Sequence, residues 1–349
     1  MNFYIGCDVS LRTISVCVMD AAGKIHLRKD VAASPDTLFA LLGPYRNACL
    51  VGLEAGSTTN WLVRALRNFG VHTLCLEAHH TRKVLSAQPV KTDRNDAEGL
   101  AQLLRTGWYK ETHVTQEDTQ ELKSYLEARQ TVKNKQQDIK NAIRGLVKPF
   151  GVILPKGSGS LWPGAVRERL LHERFGLWDV IDPLLTAYES LCDAVSRYDA
   201  FIRKYARNDE VCARLQTIDG IGPINAFAFK TVIDTPDRFS SNRDVGAYLG
   251  LTPRIYASGE SERRGGITRA GSSMMRSLLF EAAQSLLSRT KRLSSLKSWA
   301  MRLCKKKPTK LVVAALARKL GVLMLAIWKN GTTFNPKRTT VAANMAQAV

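Results

Sequence analysis

Two carboxylates near the beginning of the chain lie in surroundings that disfavour charge. Asp8 lies inside an apolar run over residues 3–9, and Glu54 closes a second apolar run over 49–54. A carboxylate in an apolar strand costs free energy unless it is paired with a cation or bound to a metal. This part of the chain must therefore adopt a fold that brings such a partner to both strands.

A second pair of acids, Asp93 and Asp96, opens a helical stretch and shares one helix face because of the three-residue spacing. Three or four carboxylates without His or Cys suit Mg²⁺, which serves phosphodiester chemistry. One alternative is a buried network of salt bridges with Arg or Lys, and another is that the pair only favours a helix N-terminus. A zinc site at His79-His80 lacks a third ligand with convincing spacing.

The order of predicted elements over residues 1–108 is that of an RNase H-like domain. We expect three antiparallel strands at 3–9, 14–20 and 25–31, and then alternating helices and strands. The strands of the second part lie at 48–54 and 71–76, and its helices begin near residues 34, 58 and 78, with a last helix ending near 105. The acids then fall in the first strand, at the end of the fourth strand and in the last helix.

Two long repeats of apolar residues at three- and four-residue spacing follow, and they predict a coiled-coil arm over 115–207. The Gly- and Ser-rich segment near 155–162 is expected to be a turn or a flexible hinge, and Asp182-Pro183 marks the expected start of the second helix. Arg129 and Gln136 on the first seam weaken it and are candidates for setting the register. Pairing within one chain and pairing between two copies both remain open. The seams are Leu122, Tyr125, Arg129, Val132, Gln136, Ile139, Ile143 and Leu146, then Leu184, Tyr188, Leu191, Val195, Tyr198, Ile202 and Tyr205.

The region over 211–334 is expected to be mainly α-helical. The beginning of this region predicts a helix, then a turn that contains Gly220 and Gly222, and then a new helix from residue 223. This order indicates a helix-hairpin-helix element. In such an element glycines allow backbone N–H groups to approach a phosphate. The alternative is an ordinary helix–helix turn that needs Gly for a positive φ.

The charge of the chain predicts a polyanionic partner. The net charge is +20 over 349 residues, and residues 282–349 contain fourteen Lys or Arg but no Asp or Glu. Nucleic acid is the main interpretation, and an anionic membrane surface is the alternative. The apolar stretch over 311–328 contains Arg318 and Lys319, which favours a packed helix over a membrane span. Seven scattered cysteines and the absence of a signal peptide predict a cytoplasmic protein with reduced thiols.

A Ser-rich and Arg-rich loop is expected over 250–271, ahead of a helix from Ser272 to about residue 287. A serine of this loop is a candidate nucleophile, with no His nearby as base. The alternative is that such a serine only binds phosphate or forms a turn. The candidate nucleic-acid-binding arginines are Arg254, Arg263, Arg264, Arg269 and Arg276.

In their order along the chain, these motifs resemble the DEDD-type insertion-sequence transposases of the bridge-RNA-guided recombinase family. The matching motifs are Ile-Gly-x-Asp, Glu-Ala, Lys-Thr-Asp-x-x-Asp-Ala, Ile-x-Gly-Ile-Gly, Gly-Leu-Thr-Pro-Arg-x-Tyr-x-Ser-Gly and Gly-x-x-Thr-Arg-x-Gly. The resemblance implies a RuvC-like RNase H domain that binds Mg²⁺ through Asp8, Glu54, Asp93 and Asp96.

The resemblance also implies that Ser258 in a C-terminal transposase domain cuts and rejoins DNA through a 5′-phosphoserine intermediate, with metal taking the place of a His base. Ser261, three residues after Ser258, is a competing nucleophile. Its implied partners are donor and target DNA, a structured non-coding guide RNA, and further copies of the chain in a homodimer or homotetramer. The expected domains are 1–108, 115–207 and 211–334, with a basic tail at 335–349 and a nucleoid-associated location. A junction-resolving nuclease and a non-catalytic nucleic-acid scaffold are the alternative functions.

Overall fold

The computed structural model describes residues 2–86, 91–171, 173, 176–259 and 261–337. The chain divides into two compact units, Met1–Gln116 and Glu117–Val349. Each unit has hydrophobic clusters of its own. Apart from residues 115 and 116, the predicted arm (115–207) falls in the second unit together with the predicted transposase domain (211–334), so their separation into two domains remains a prediction.

The first unit is a mixed α/β structure around one five-stranded sheet with the order β3-β2-β1-β4-β5. Strand β1 is antiparallel to β2, which in turn is antiparallel to β3. On its other side β1 is parallel to β4, and β4 is parallel to β5. This arrangement is consistent with the predicted RNase H-like domain. The elements are β1 (Phe3–Val9), β2 (Thr13–Asp20), β3 (Ile25–Ala32), α1 (Pro35–Leu42), β4 (Cys49–Glu54), α2 (Thr59–Asn68), β5 (Thr73–Leu76), α3 (Ala78–Leu85) and α4 (Asp93–Thr106).

Helices cover both faces of this sheet, which explains why its central strands are apolar on both sides. Val51 and Leu53 of β4 pack with α1 and α2. Leu50, on the opposite face of the same strand, packs with Leu100 and Leu104 of α4. The side chains of β4 therefore alternate between two cores, and α4 is the element that covers the second face.

The second unit is mainly helical, as predicted, with one small β-hairpin. Its core is formed by α9, α11 and α13, where Phe227, Leu279 and Leu320 are fully buried. The elements are α5 (Glu117–Val147), α6 (Trp162–Leu170), α7 (Leu177–Asn208), α8 (Glu210–Leu215), α9 (Pro223–Ile233), α10 (Asp244–Tyr248), β6 (Pro253–Ser258), β7 (Ser261–Ile267), α11 (Ser273–Ser288), α12 (Ser295–Cys304) and α13 (Thr309–Asn330).

The two long helices α5 and α7 pack against each other within the chain and run antiparallel. Arg129 pairs with Asp199, and seven residues later Gln136 donates a hydrogen bond to the Cys192 sulfur at 2.8 Å. Both polar residues of the first predicted seam therefore have partners on α7, which fixes one register between the helices. The first seam ends differently from the prediction, because Leu146 is 44% exposed and Val147 is buried.

The predicted start of the second long helix at Asp182-Pro183 is wrong. Helix α7 begins at Leu177 and contains Pro183. Leu177 and Ile181 are buried in the cluster formed with α5 and α6, so tertiary packing extends the helix upstream of the proline. Helix α6 was not predicted.

Hydrogen bonds hold the segment near 155–162, which was predicted to be a turn or a flexible hinge. Trp162 donates its indole N–H to the Pro155 carbonyl at 3.1 Å, and the Gly159 N–H donates to the Tyr188 hydroxyl at 3.1 Å. This segment is therefore a turn packed on α7. Of the predicted tail, residues 338–349 lie outside the described residues.

Replacing Arg129 with alanine should destabilise the second unit by about 2 kcal/mol. The Arg129 and Asp199 side chains are only 11% and 16% exposed, and Asp199 would keep only a 3.7 Å contact with the exposed Arg203. Chemical denaturation measures the loss. The double variant Arg129→Met, Asp199→Leu removes both charges and should lie close to the wild type. A single variant as stable as the wild type would show that this pair does not stabilise α5–α7.

Helix α13 is long and apolar enough to cross a membrane, judged by length and composition alone. In this structure Val312, Leu316 and Leu320 are buried in the core of the second unit, next to α11 and α12. The ammonium group of Lys319 lies 3.8 Å from the centre of the Trp299 ring, a cation–π contact. We therefore interpret α13 as a core helix, which agrees with the predicted packed helix over 311–328.

Candidate active site

Strand pairing brings Asp8 and Glu54 together. Strands β1 and β4 pair in parallel with a constant register, in which Cys7 lies opposite Leu53. Asp8 and Glu54 are the next residues of the two strands, so they are neighbours at the strands' carboxyl ends. In-register residues of adjacent strands share one face of a sheet. Both acids line a small cavity of about 140 Å³.

Two glycines allow α4 to lie very close to this face of the sheet. Gly6 and Gly52 lie opposite each other and precede Asp8 and Glu54 by two residues. A Cβ atom on Gly6 would lie 2.0 Å from the Ala97 carbonyl oxygen of α4. A Cβ atom on Gly52 would lie 2.9 Å from the Leu104 side chain. Because the glycines lie on the same face as the acids, the close approach places α4 on the side where the acids point.

The direction of α4 places its first turn at the acid end of the sheet. The C-terminal part of the helix lies at the opposite end, where Arg105 donates to the Ala21 carbonyl oxygen at 3.3 Å in the β2–β3 turn. Thr92 caps the helix and accepts a hydrogen bond from the Asn95 N–H. Asp93 and Asp96 therefore lie in the turn nearest to Asp8 and Glu54, where the helix dipole also favours negative charge.

The carboxylates act on one another electrostatically. Burial, and then the charges of Asp93 and Asp96, raise the pKa of Asp8 above its usual range. Burial, and then the charge of Asp8, raise the pKa of Glu54. Lys91 lowers the pKa of both groups to a smaller extent. The four acids that the sequence singled out thus form one group with unfavourable mutual repulsion.

The donor set fits Mg²⁺ chemically, because carboxylate oxygens are the ligands that hard cations prefer. The four carboxylate side chains do not lie within ligating distance of one common point. Over the described ranges, no group of three or more His, Cys, Asp or Glu has metal-binding geometry. Side-chain rotation would be needed to bring the four carboxylates onto one ion. The salt-bridge alternative has little support, since no ion pair recorded between described residues involves these acids.

The Gly6→Ala substitution should destabilise the first unit by about 3 kcal/mol. The new methyl group would meet backbone atoms of α4, which cannot rotate away. Calorimetric unfolding measures the change. Gly52→Ala is the matched comparison, because the atoms nearest to its methyl group would be those of the flexible Leu104 side chain, and it should cost less. Equal and small effects would contradict the close approach of α4 at Gly6.

The segment expected to be a loop around Ser258 is instead an exposed β-hairpin, with Ser258 at the end of β6 opposite Ser261 at the start of β7. Gly259 at the tip has a φ of 57°, which allows a tight turn between the strands. The Ser261 hydroxyl donates to the Ser258 carbonyl oxygen at 3.1 Å, and the two hydroxyl oxygens are 3.4 Å apart. Ser258 is exposed and accessible to a large substrate.

The hairpin separates the predicted arginines onto two faces. Alternation along β6 places Arg254, Tyr256 and Ser258 on one face, and Arg263 lies opposite Tyr256 on the same face. Arg264 lies on the other face and pairs with Glu262 at 2.8 Å. Arg254 and Arg263 are therefore the strand arginines that share the face of Ser258.

Of the two other predicted arginines, one is exposed and one is engaged with backbone. Arg269 is exposed and adopts a φ of 59° in the turn after the hairpin. Arg276 donates to the carbonyl oxygens of Leu249 at 3.3 Å and Gly271 at 3.1 Å, so it holds this turn against the end of α10. The geometry of Arg276 is that of a structural residue.

The two glycines of the predicted helix-hairpin-helix differ in their surroundings. Gly220 has a φ of 88°, and a Cβ atom there would lie 2.7 Å from the Ala282 carbonyl oxygen of α11. Close packing thus accounts for this glycine, as in the ordinary-turn alternative. Gly222 precedes α9, and a Cβ atom there would meet nothing within 4 Å. Only Gly222 leaves a helix N-terminus open to a phosphate.

Sequence reasoning did not assign roles to Gly6 and Gly52, or to Tyr256. The signal for the glycines was the repeated pattern of a strand Gly two residues before an acid, which indicates close backbone approach. The signal for Tyr256 was its two-residue spacing from Ser258, which becomes informative only once this segment is known to be a strand.

Comparison with known proteins identifies the family. A family model described as the transposase IS116/IS110/IS902 family matches residues 212–298, and a transposase model for DEDD enzymes of the IS110 type matches residues 5–150.

Relatives match along almost the entire chain. A Sinorhizobium fredii protein named as transposase y4pF/y4sB is 30% identical over 337 residues, which span 95% of this chain and 85% of the relative. The transposase for insertion sequence element IS1111A of Coxiella burnetii is 24% identical over 335 residues, 95% of this chain and 90% of the relative. The transposase for insertion sequence element IS1328 of Yersinia enterocolitica is 26% identical over 339 residues, which span 95% of this chain and 98% of the relative. The chain therefore belongs to the IS116/IS110/IS902 family of transposases.

Proposed function

We propose that this transposase cuts and rejoins insertion-sequence DNA with Ser258 as the nucleophile and with Asp8, Glu54, Asp93 and Asp96 as the ligands of Mg²⁺. The observation that most supports the proposal is the convergence of the four acids at one end of the sheet. Structural residues rarely combine burial with mutual repulsion, whereas active sites commonly do. The second support is the exposed position of Ser258 beside two arginines.

The four carboxylates provide charge and orientation. When bound there, Mg²⁺ supplies Lewis-acid stabilisation of a phosphate and lowers the pKa of an attacking hydroxyl group. Asp8 and Glu54 are held by two paired strands, and Asp93 and Asp96 by the capped first turn of α4. These rigid elements limit the positions that the carboxylates can take, which is the requirement for a preorganised site.

Ser258 would form the covalent intermediate. Its Oγ attacks the phosphorus of a DNA phosphodiester and loses its proton, while the bond to the 3′-oxygen breaks and that oxygen takes up a proton. The product is a 5′-phosphoserine that keeps the energy of the broken bond. Attack by the 3′-hydroxyl of another strand reverses the step and rejoins DNA without ATP. Arg254 and Arg263, on the same face, would stabilise the charge that develops on the phosphate.

The proposal includes partners and finer features that follow from the family resemblance. They are donor and target DNA, a structured non-coding guide RNA that pairs with them, and a homodimer or homotetramer. The paired helices α5 and α7 would serve as the coiled-coil arm, and the turn before α9 as a helix-hairpin-helix contact through Gly222. The net charge of +20 supports nucleic-acid partners.

A covalent-adduct assay tests the proposal. The purified chain, with any RNA that copurifies, is incubated with Mg²⁺ and labelled DNA that contains the ends of its insertion sequence, and the products are separated under denaturing conditions. A protein–DNA adduct supports the serine recombinase. Cleavage without an adduct points to a nuclease in which the acids activate water, and the absence of cleavage favours a binding scaffold.

A further inference from the structure

A groove at the base of the β6–β7 hairpin shares Arg254 with the proposed chemistry, which gives its other lining residues no role. Its volume is about 770 Å³, and it lies between the hairpin, α11 and the first turns of α13. We call it the hairpin groove. The residues that matter for its chemistry are Arg254, Tyr256, Gly265, Arg269, Phe280 and Lys310.

The charge of the hairpin groove suits a polyanion. Arg254, Arg269 and Lys310 line it and are exposed, and none of its lining residues is acidic. None of the ion pairs recorded between described residues involves these three cations. Among the described residues, this positive charge is therefore not neutralised by an ion pair, and it is available to phosphate oxygens.

The hairpin groove also offers an aromatic surface beside this charge. Tyr256 is 58% exposed, and Phe280 of α11 lies in the same lining. Gly265 on β7 keeps the space next to the tyrosine ring open, since a Cβ atom there would lie 3.4 Å from that ring and 3.6 Å from the Arg254 side chain. Cationic side chains combined with an exposed ring are the features with which proteins bind unpaired nucleotides.

The hairpin groove is continuous with the face of the proposed nucleophile. Arg254, Tyr256 and Ser258 alternate along β6, so the Cα atoms of Tyr256 and Ser258 lie about 7 Å apart along the strand. A nucleotide attached to a phosphate at Ser258 can reach over this distance. The volume falls in the range of pockets for drug-sized ligands, which corresponds to about one or two nucleotides and is too small for a duplex.

We propose that the hairpin groove binds unpaired DNA next to the phosphate that Ser258 attacks, with the base stacked on Tyr256 and the backbone held by Arg254, Arg269 and Lys310. The proposal rests on the assignment of Ser258 as nucleophile. It adds that the strand is unpaired where it is cut, and it makes Tyr256 a substrate-positioning residue.

The test measures the binding of a fluorescent single-stranded oligodeoxynucleotide of about ten nucleotides by anisotropy, at several salt concentrations. Tyr256→Ala should weaken binding roughly 10-fold to 100-fold, and Tyr256→Phe, which keeps the ring, should bind like the wild type. Arg254→Gln should reduce the slope of log affinity against log salt by about 0.7, whereas Tyr256→Ala should leave the slope unchanged. Gly265→Leu, which fills the groove without removing the ring, should also weaken binding.

The matched control is Ile255→Thr. Ile255 is 59% exposed on the opposite face of the same strand, and its replacement should leave binding unchanged. Wild-type affinity in Tyr256→Ala, or equal losses in Tyr256→Ala and Ile255→Thr, would overturn the proposal. Tighter, Tyr256-dependent binding of an RNA of the same sequence would also overturn it, because the groove would then serve RNA.

The adduct assay separates this proposal from the function on which it rests. Ser258→Ala should bind the oligonucleotide normally while forming no adduct, and Tyr256→Ala should form the adduct roughly 10-fold or more slowly. Normal adduct formation in Tyr256→Ala would refute the groove's role and leave the serine chemistry intact. Adduct formation in Ser258→Ala would refute the serine assignment, whatever the outcome for the groove.

Discussion

We expect Ser258→Ala to abolish the covalent protein–DNA adduct and to lower strand exchange by at least about 1,000-fold. The substitution removes the hydroxyl that forms the ester and changes little else, because Ser258 is exposed and, among the described residues, the hydrogen bond recorded for its hydroxyl is with Ser261. Denaturing electrophoresis of labelled insertion-sequence ends measures the adduct. Binding of the same DNA should remain close to that of the wild type, because the arginines of the hairpin are unchanged.

Ser261→Ala provides the control for this prediction. Ser261 lies directly across the hairpin and donates a hydrogen bond to the Ser258 carbonyl oxygen, so its loss can disturb the orientation of Ser258 but not the chemistry. We expect at most a few-fold decrease in adduct formation, about the effect of one weak hydrogen bond. If the adduct persisted in Ser258→Ala and disappeared in Ser261→Ala, Ser261 would be the nucleophile. DNA cleavage without an adduct in Ser258→Ala would favour the nuclease alternative.

The sequence predicts the first unit well because its elements are encoded locally. Strands β1, β2, β4 and β5 coincide closely with apolar runs, whereas β3 is mostly polar and exposed and is recognised by the turn that precedes it. The sequence does not show how closely α4 approaches the sheet. That distance depends on Gly6 and Gly52 lying opposite each other, which requires the strand register. The sequence therefore predicted that the acids lie near one another, but it did not predict the close approach of α4 that brings Asp93 and Asp96 to the sheet.

The second unit shows where local signals fail. Pro183 is a strong start signal for a helix, yet the burial of Leu177 and Ile181 extends α7 before it. The segment around Ser258 has the Gly, Ser and Arg content of a loop, yet it forms two paired strands. In both cases, contacts between residues that are distant in the sequence outweigh the local preference. The hairpin matters for function, because alternation along β6 decides which arginines share the face of Ser258.

The first unit yields the second large prediction: Asp8→Asn should lower strand cleavage by at least about 1,000-fold while DNA binding stays close to the wild-type level. An amide keeps the size of the carboxylate but is a poor ligand for a hard cation. The positive charge that attracts DNA is unaffected, since this charge lies on other residues. Cleavage and binding of the same labelled DNA measure the two effects separately. A parallel loss of both would indicate that Asp8 has a structural role.

The same substitution should make the fold more stable, by about 1 kcal/mol at neutral pH and without divalent cations. Burial and the charges of Asp93 and Asp96 raise the pKa of Asp8, so its ionisation is less favourable in the folded chain than in the unfolded chain. A group with a raised pKa contributes stability that is present at low pH and is lost as the pH rises through its folded-state pKa. The stability advantage of Asp8→Asn over the wild type should therefore shrink as the pH falls.

Asp20→Asn is the control at the other end of the sheet. The hydrogen bond with His26 lowers the pKa of Asp20, so this change should reduce stability and leave cleavage intact. Calorimetry in a chelating buffer measures both, and an Asp8→Asn variant less stable than the wild type would contradict the repulsion among the acids.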